Sequence, residues 1–142
     1  QSVIKSMTQS EVIDLIKKVN GYWQSENPAD AANAFWHPAA YHTGNMAAYE
    51  ITGEETYKQY SIGWAVKKEW KGAKSNDKKS WKYSYGETDD YALFGDWHIC
   101  FQTYIALYNM DGGKFKISRA REVLEYQWST QNNAYWWWAD GL

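Results

Sequence analysis

The sequence predicts an all-α fold of helical hairpins that curve into an α/α toroid or solenoid. Amphipathic segments alternate along the chain with segments that carry almost no charge, as the outer and inner helices of such a fold would. A short residue pattern that recurs later in the chain, with every residue at the same offset, supports a structural repeat. Its two copies are Met46-Ala47, Tyr49 and Gly53, then Ile105-Ala106, Tyr108 and Gly112.

Three helices are predicted in the first half of the chain. The first covers residues 9–24, because Thr8 and Glu11 form a capping box and apolar residues follow at helical spacing. The second covers about residues 38–53 and ends at a glycine. It contains few charges, so we expect it to be buried on most sides. A third follows from residue 54, where two glutamates favour a helix N-terminus.

A long loop and two further helices are predicted in the second half. Residues 71–90 interleave lysines with aromatic residues, and this loop is either a solvated basic surface or a rim that meets an anionic sugar. The fourth helix is predicted to begin at Asp96 and to run to about residue 110. The fifth covers about residues 114–129 and is amphipathic, and the last residues lead into a sixth.

Composition and charge narrow the classes of function. The chain of 142 residues is one domain at most. Aromatic residues make up 18% of it, which is more than a core of this size uses. The surplus Trp and Tyr are expected to line a groove or a partner surface. The net charge of −2 predicts no nucleic-acid partner, and no apolar run is long enough to enter a membrane. The single Cys100 excludes an intrachain disulfide, and three histidines without ligand spacing predict no metal site.

Carboxylates and aromatic residues are predicted to meet at one end of the inner helices, because the N-terminal ends of these helices open on one face of a toroid. The residues concerned are Tyr41, His42, Asp96, Trp97, Trp138 and Asp140. Three indoles run into Asp140, and poor solvation beside them would raise its pKa toward that of a general acid. Paired carboxylates among aromatic residues suit acid/base chemistry on glycosides. Alternatively, Asp96 and Asp140 are helix N-caps and His42 is a buried helix histidine.

Three motifs carry a resemblance to a known family. Trp138-Ala139-Asp140-Gly141-Leu142 resembles the Trp-x-Asp-Gly-Leu motif of unsaturated rhamnogalacturonyl hydrolases, glycoside hydrolase family 105, which is related to the unsaturated glucuronyl hydrolases of family 88. The segment from Asp96 through Leu107-Tyr108 to Asp111-Gly112 is similar to a second motif. The turn from Thr52 to Tyr57 is similar to a third, and together the motifs cover about residues 35–142.

The resemblance implies an (α/α)6 barrel of six helical hairpins, of which residues 1–142 would be the N-terminal portion. It implies an enzyme that hydrates the 4,5 double bond of a terminal unsaturated uronic acid and so releases the next sugar. The substrate would be an acidic oligosaccharide such as one from rhamnogalacturonan. Lysines of residues 71–82 are candidates for binding its carboxylate, and no metal or organic cofactor is needed.

The same resemblance implies roles for individual residues. Asp140 would be the catalytic acid/base, and Asp96 would be its partner in placing water or the sugar. The wall that stacks on the substrate and hydrogen-bonds it would consist of Tyr41, His42, Trp97 and Trp138.

Two other classes of function are compatible with the sequence: a non-catalytic carbohydrate-binding helical domain, and a helical-repeat module that binds a protein. As an N-terminal portion, the chain would expose inner-helix faces, so it is expected to be inactive alone and to self-associate. It opens on Gln1 rather than Met, as a mature exported protein or a trimmed chain would. A bacterial periplasm and a bacterial cytoplasm both fit, the periplasm slightly better.

Overall fold

A computed structural model describes residues 6–130, and in that range it contains α-helices, 3-10 turns and no strand. The α-helices are α1 (Gln9–Glu26), α2 (Trp36–Thr52), α3 (Glu55–Lys67), α4 (Cys100–Asp111) and α5 (Ser118–Ser129). The 3-10 turns are Lys78–Ser80, Gly95–Trp97 and Lys114–Ile117. Helix α2 is central, since it packs against α1, α3 and α4. None of the helices in this range is long and apolar enough to cross a lipid bilayer.

Helix α1 begins with the capping box that the sequence predicts. The Glu11 N–H donates to Thr8 Oγ1 at 3.2 Å, and the Thr8 N–H donates to Glu11 Oε2 at 2.8 Å. Two backbone donors of the first turn are thereby satisfied. Part of the predicted apolar stripe is exposed, with Val12 at 41% and Val19 at 60%, whereas Asn20 is buried.

A buried polar network centred on Asn45 joins α1, α2 and α3. Its Oδ1 accepts from Asn20 Nδ2 at 2.8 Å and from Gln24 Nε2 at 3.0 Å. Its Nδ2 donates to the Tyr57 carbonyl at 2.6 Å and to Ser61 Oγ at 2.8 Å. The amide therefore uses both lone pairs and both protons. Such a saturated amide fixes the register of three helices at once.

Helix α2 ends as predicted and begins slightly earlier than predicted. Gly53 has φ of +70° and its N–H donates to the Tyr49 carbonyl at 2.8 Å, a left-handed C-terminal geometry that glycine adopts without steric cost. The helix starts at Trp36 rather than at Pro38. Pro38 is still in the first turn, where its missing N–H has no helical partner to lose. Trp36 and His37 therefore form the beginning of this helix.

Helix α4 begins later than predicted. It starts at Cys100, and Asp96 lies instead in the separate 3-10 turn Gly95–Trp97. The break has a tertiary cause, because the Trp97 side chain is only 4% exposed and its Nε1 donates to the Gly86 carbonyl at 3.0 Å. Burial of this ring sets the path of the chain ahead of the helix. Helix α5 is likewise preceded by a 3-10 turn, so it begins at Ser118 rather than at residue 114.

Residues 71–90 form a loop, as predicted, and α5 holds it against the core. Trp81 is 7% exposed and its Nε1 donates to the Ser75 carbonyl at 2.9 Å. The Arg119 guanidinium lies 4.7 Å from the centroid of the Trp81 ring and donates to the Ala73 carbonyl at 2.9 Å. A cation–π contact and a charge-assisted hydrogen bond thus fix the loop from inside.

Candidate active site

Asp96 is the half-buried carboxylate around which the candidate site is built. Within residues 6–130 its side chain makes no hydrogen bond and no ion pair, and burial raises its pKa above that of an exposed aspartate. Other aspartates differ. Asp90 and Asp111 bind lysine ammonium groups at 2.5 and 2.8 Å, and these hydrogen bonds lower their pKa. A desolvated, unpaired carboxylate destabilises a fold and is characteristic of functional sites.

Trp97 supports Asp96 from inside the core. Its ring centroid lies 4.9 Å from that of Phe35 in an edge-to-face contact, and its Nε1 is bonded to Gly86. On the other side, a Cβ added to Gly72 would lie 2.0 Å from the Trp97 carbonyl oxygen, so only glycine fits there. The structure therefore places Trp97 as a packed residue that determines where its neighbour Asp96 stands.

Replacing Gly72 by alanine is expected to destabilise the protein by about 1–3 kcal/mol, because the new methyl group overlaps a backbone oxygen that cannot rotate away. Urea unfolding of the full-length protein measures the effect. Gly63→Ala is the matched control. A Cβ at Gly63, inside α3, meets nothing within 4 Å, so this change should stabilise the helix by about 0.5–1 kcal/mol. Equal unfolding midpoints for the two variants would contradict the packing argument.

His42 is buried between α2 and α3. Its ring stacks on Trp64 with centroids 3.9 Å apart, and its Nδ1 lies 2.9 Å from Ser61 Oγ. Burial lowers its pKa to about 3, so the imidazole is neutral at physiological pH. Only 2% of the residue is exposed.

Tyr41 is half-buried between α2 and α1. Its ring stacks on Trp23 at 4.9 Å, and its hydroxyl donates to Asn20 Oδ1 and accepts from Gln24 Nε2 at 3.2 Å. Burial raises its pKa to about 12. The contacts of Tyr41 and His42 within residues 6–130 thus run to α1 and α3, whereas Trp97, the neighbour of Asp96, contacts Phe35, the residue before α2, and Gly86.

Three exposed aromatic residues that the sequence analysis did not select, Trp36, His37 and Tyr85, lie next to a buried aromatic cluster that adjoins Asp96. Phe35, Phe94 and Trp97 form an aromatic cluster beside it, with Phe35 centroids 6.5 Å from Phe94 and 4.9 Å from Trp97. Trp36 and His37 follow Phe35 directly, and Trp36 is 47% exposed. Tyr85, which is 66% exposed, packs edge-to-face on Phe94 at 5.5 Å. The first turn of α2 and the loop therefore present exposed aromatic surface beside the cluster that precedes and follows Asp96.

Four lysines between residues 71 and 82 are engaged by carboxylates of the same domain. Lys71 and Lys74 lie 3.3 and 3.2 Å from Glu69, while Lys78 lies 3.4 Å from Glu122. Lys82 is 2.5 Å from Asp90. These ion pairs offset much of the positive charge that a sugar carboxylate would need from this loop.

Asp140 and Trp138, the other two residues selected from the sequence, lie outside the residues that the structure describes. No group of three or more His, Cys, Asp or Glu side chains within residues 6–130 is placed to hold a metal ion. In this part of the chain the chemistry that the site offers is therefore that of a carboxylate with aromatic neighbours.

The described part of the molecule defines an all-α, helical-hairpin domain with an unpaired carboxylate beside the start of a central helix. A family model described as Glycosyl Hydrolase Family 88 matches residues 3–142. The chain therefore belongs to glycosyl hydrolase family 88, which confirms the resemblance drawn from its motifs. No curated protein matches the chain.

Two solved structures are similar over nearly the whole chain. One, named as a polysaccharide lyase, is 61% identical over 95% of the chain with a TM-score of 0.88. Another, a glycosyl hydrolase family 88 protein from Bacteroides vulgatus, is 49% identical over 92% of the chain with a TM-score of 0.87. The chain spans 38% and 37% of the length of these two proteins. Family 88 structures are (α/α)6 barrels, so the predicted fold class is confirmed for the part that the chain covers.

Proposed function

We propose that this chain is the N-terminal portion of an unsaturated uronyl hydrolase whose complete domain is an (α/α)6 barrel. The observation that carries the proposal is Asp96, a half-buried carboxylate with a raised pKa that has no polar partner within residues 6–130, in a chain of glycosyl hydrolase family 88. The substrate is an acidic oligosaccharide that ends in a 4,5-unsaturated uronic acid, such as one derived from rhamnogalacturonan.

In the proposed reaction, Asp140 donates a proton to C4 of the double bond and Asp96 places the water that adds at C5. The hemiketal that results opens, and the bond to the next sugar breaks. A raised pKa at Asp96 favours this role, because a carboxylate that is poorly solvated is a better proton acceptor for a bound water. The exposed rings of Trp36 and Tyr85 offer the sugar faces to stack on.

The wall proposed from the sequence falls into two parts. Trp138 remains a candidate for direct contact with the sugar. Trp97, Tyr41 and His42 contribute through the packing described above, since Trp97 supports Asp96 and the other two connect α2 to its neighbours.

The test is the ultraviolet absorbance of the unsaturated uronate in the presence of the full-length protein and a lyase-generated disaccharide. Hydration removes the double bond, so the absorbance is expected to fall, and Asp140→Asn should stop the fall. Residues 1–142 alone should be inactive in this assay and should elute as oligomers from a sizing column. The exposed side chains on the inner helices that support this last expectation include Ile51 of α2 at 59% and Ile105 of α4 at 43%. A monomeric, active chain of 142 residues would contradict the fragment hypothesis.

A second candidate is a polysaccharide lyase, which the name of the 61% identical structure favours. A lyase uses a base to remove the proton at C5 of a uronate, and elimination at C4 creates the double bond that a hydrolase consumes. The same assay separates the two reactions by sign. With an uncleaved acidic polysaccharide as substrate, a lyase makes the absorbance rise, while a hydrolase leaves it unchanged.

A further inference from the structure

The turn that carries Asp96 is closed by the side chain of His98. The His98 Nε2 lies 2.8 Å from the Ala92 carbonyl oxygen, and because a carbonyl only accepts, the imidazole is the donor. The His98 backbone N–H donates to the Gly95 carbonyl, also at 2.8 Å. The side-chain bond therefore joins the two ends of residues 92–98, and Asp96 lies between them.

The His98 ring is itself held in place by α4. It stacks on Phe101, in the first turn of that helix, with centroids 5.6 Å apart and an interplanar angle of 15°. The Phe101 N–H donates to the His98 carbonyl at 3.0 Å. Since the Phe101 side chain is buried in the core, the direction in which Nε2 points is set by α4 and not by the turn.

A second side chain holds the next carbonyl of the turn from another helix. The Gln127 Nε2, on α5, donates to the Leu93 carbonyl at 3.2 Å, and the Leu93 N–H donates to the Lys82 carbonyl at 3.2 Å. Along the chain, α5 precedes the segment that contains Asp140. Gln127 therefore connects the turn of one proposed catalytic carboxylate to the helix that leads to the other.

We propose that His98 and Gln127 are positioning residues that hold Asp96 where it accepts a proton from the attacking water. This inference rests on the proposed function, since it concerns the carboxylate that acts in that reaction. Neither side chain forms a hydrogen bond with Asp96 within residues 6–130, so both act through the backbone of the turn. Such positioning affects the rate strongly, because a displacement of about 1 Å can cost about 10²-fold.

The first experiment compares His98→Phe with His98→Gln in the full-length protein. Phenylalanine keeps a ring that stacks on Phe101 and removes the donor, whereas glutamine supplies an amide donor near the position of Nε2. His98→Phe should lower kcat for the unsaturated disaccharide by about 10–100-fold, with KM changed much less. His98→Gln should recover most of the lost rate.

Gln127→Met tests the second anchor, because methionine keeps the length of the side chain and removes its donor. Its kcat should fall severalfold. Gln59→Met is the matched control, since Gln59 is a glutamine on α3 whose amide donates to Glu55 at 2.9 Å on the exposed surface. This control should keep the kcat of the wild type.

Hydrogen exchange, measured by mass spectrometry, separates positioning from a general loss of stability and does not depend on activity. In His98→Phe the amides of residues 92–98 should exchange about tenfold faster or more, while those of α2 and α4 keep their protection. If the wild type does not act on the disaccharide, the proposed reaction is rejected, and exchange in residues 92–98 alone decides whether His98 holds the turn.

Three results would overturn the inference. One is unchanged exchange of residues 92–98 in His98→Phe, and another is a loss of protection spread evenly over the helices. The third is an active wild type in which His98→Phe keeps full kcat, or in which His98→Gln is as impaired as His98→Phe.

Discussion

Replacing Asp96 by asparagine in the full-length protein is expected to lower kcat by about 10²–10⁴-fold, the usual contribution of a positioned proton acceptor. Asparagine keeps the shape of the side chain and removes its ability to accept a proton. The rate of loss of uronate absorbance measures the effect. KM should change much less, because the aromatic surfaces of Trp36 and Tyr85 do not depend on the charge of Asp96.

Stability should respond in the opposite direction. Burial raises the folded-state pKa of Asp96 above its unfolded value, so ionisation opposes folding, and stability is lost as the pH rises through the folded pKa. At neutral pH, Asp96→Asn should therefore have an unchanged or higher unfolding midpoint. This combination of lost activity and retained stability distinguishes a functional carboxylate from a helix cap, whose loss would destabilise the protein.

Asp111→Asn provides the control for both measurements. Hydrogen bonding to Lys58 at 2.8 Å lowers the pKa of Asp111, so the ionised carboxylate stabilises the folded state. This contribution to stability is lost as the pH falls through the folded-state pKa of Asp111. The variant should be less stable at neutral pH and should keep nearly normal kcat. If both variants lost activity equally, the effect at Asp96 would be structural and its proposed role would be wrong.

The sequence predicted those parts of the fold that depend on local interactions. The capping box of Thr8 and Glu11 and the left-handed turn at Gly53 need only neighbours within four residues, and both are confirmed. The start of α4 was wrong because it depends on the burial of Trp97 against Phe35 and Gly86, which are distant in sequence. Periodicity carries no information about such contacts.

An error in a predicted helix start also explains why Tyr41 and His42 were selected as site residues. The predicted start of α2 at Pro38 made Tyr41 and His42 appear to lie at the open end of the helix. The observed start at Trp36 moves them into the second turn, where they face α1 and α3. The sequence did contain a signal for an earlier start of α2. Proline is tolerated throughout the first turn of a helix, so Trp36 and His37, which immediately precede Pro38, could belong to that turn.

The path of the loop over residues 71–90 could not be predicted from the local sequence. Tyr85 packs on Phe94 in a loop that Arg119, on α5, holds through Trp81 and the Ala73 carbonyl. The partners of this clamp are as many as 46 residues apart, and nothing in their local sequence pairs them. Asp96 itself was selected because it stands at the predicted start of an inner helix, and a family motif supported that selection.

Asn45→Ala is expected to lower the free energy of unfolding by on the order of 3 kcal/mol, because it leaves several buried groups without a partner. Asn20 and Gln24 lose their shared acceptor, and the Tyr57 carbonyl and Ser61 hydroxyl lose a donor. Urea unfolding of the full-length protein measures the change. Asn109→Ala, on an exposed position of α4, is the control and should stay within about 0.5 kcal/mol of the wild type.

The consequence should also reach the candidate site, because Asn45 fixes the register of the helix whose first turn carries Trp36 and His37. We therefore expect Asn45→Ala to raise KM for the unsaturated disaccharide while the protein is still folded, with kcat less affected. Unchanged KM in a destabilised variant would show that the network contributes to stability alone. Unchanged stability would mean that water replaces the lost amide, and that the three helices are held in register by their apolar contacts instead.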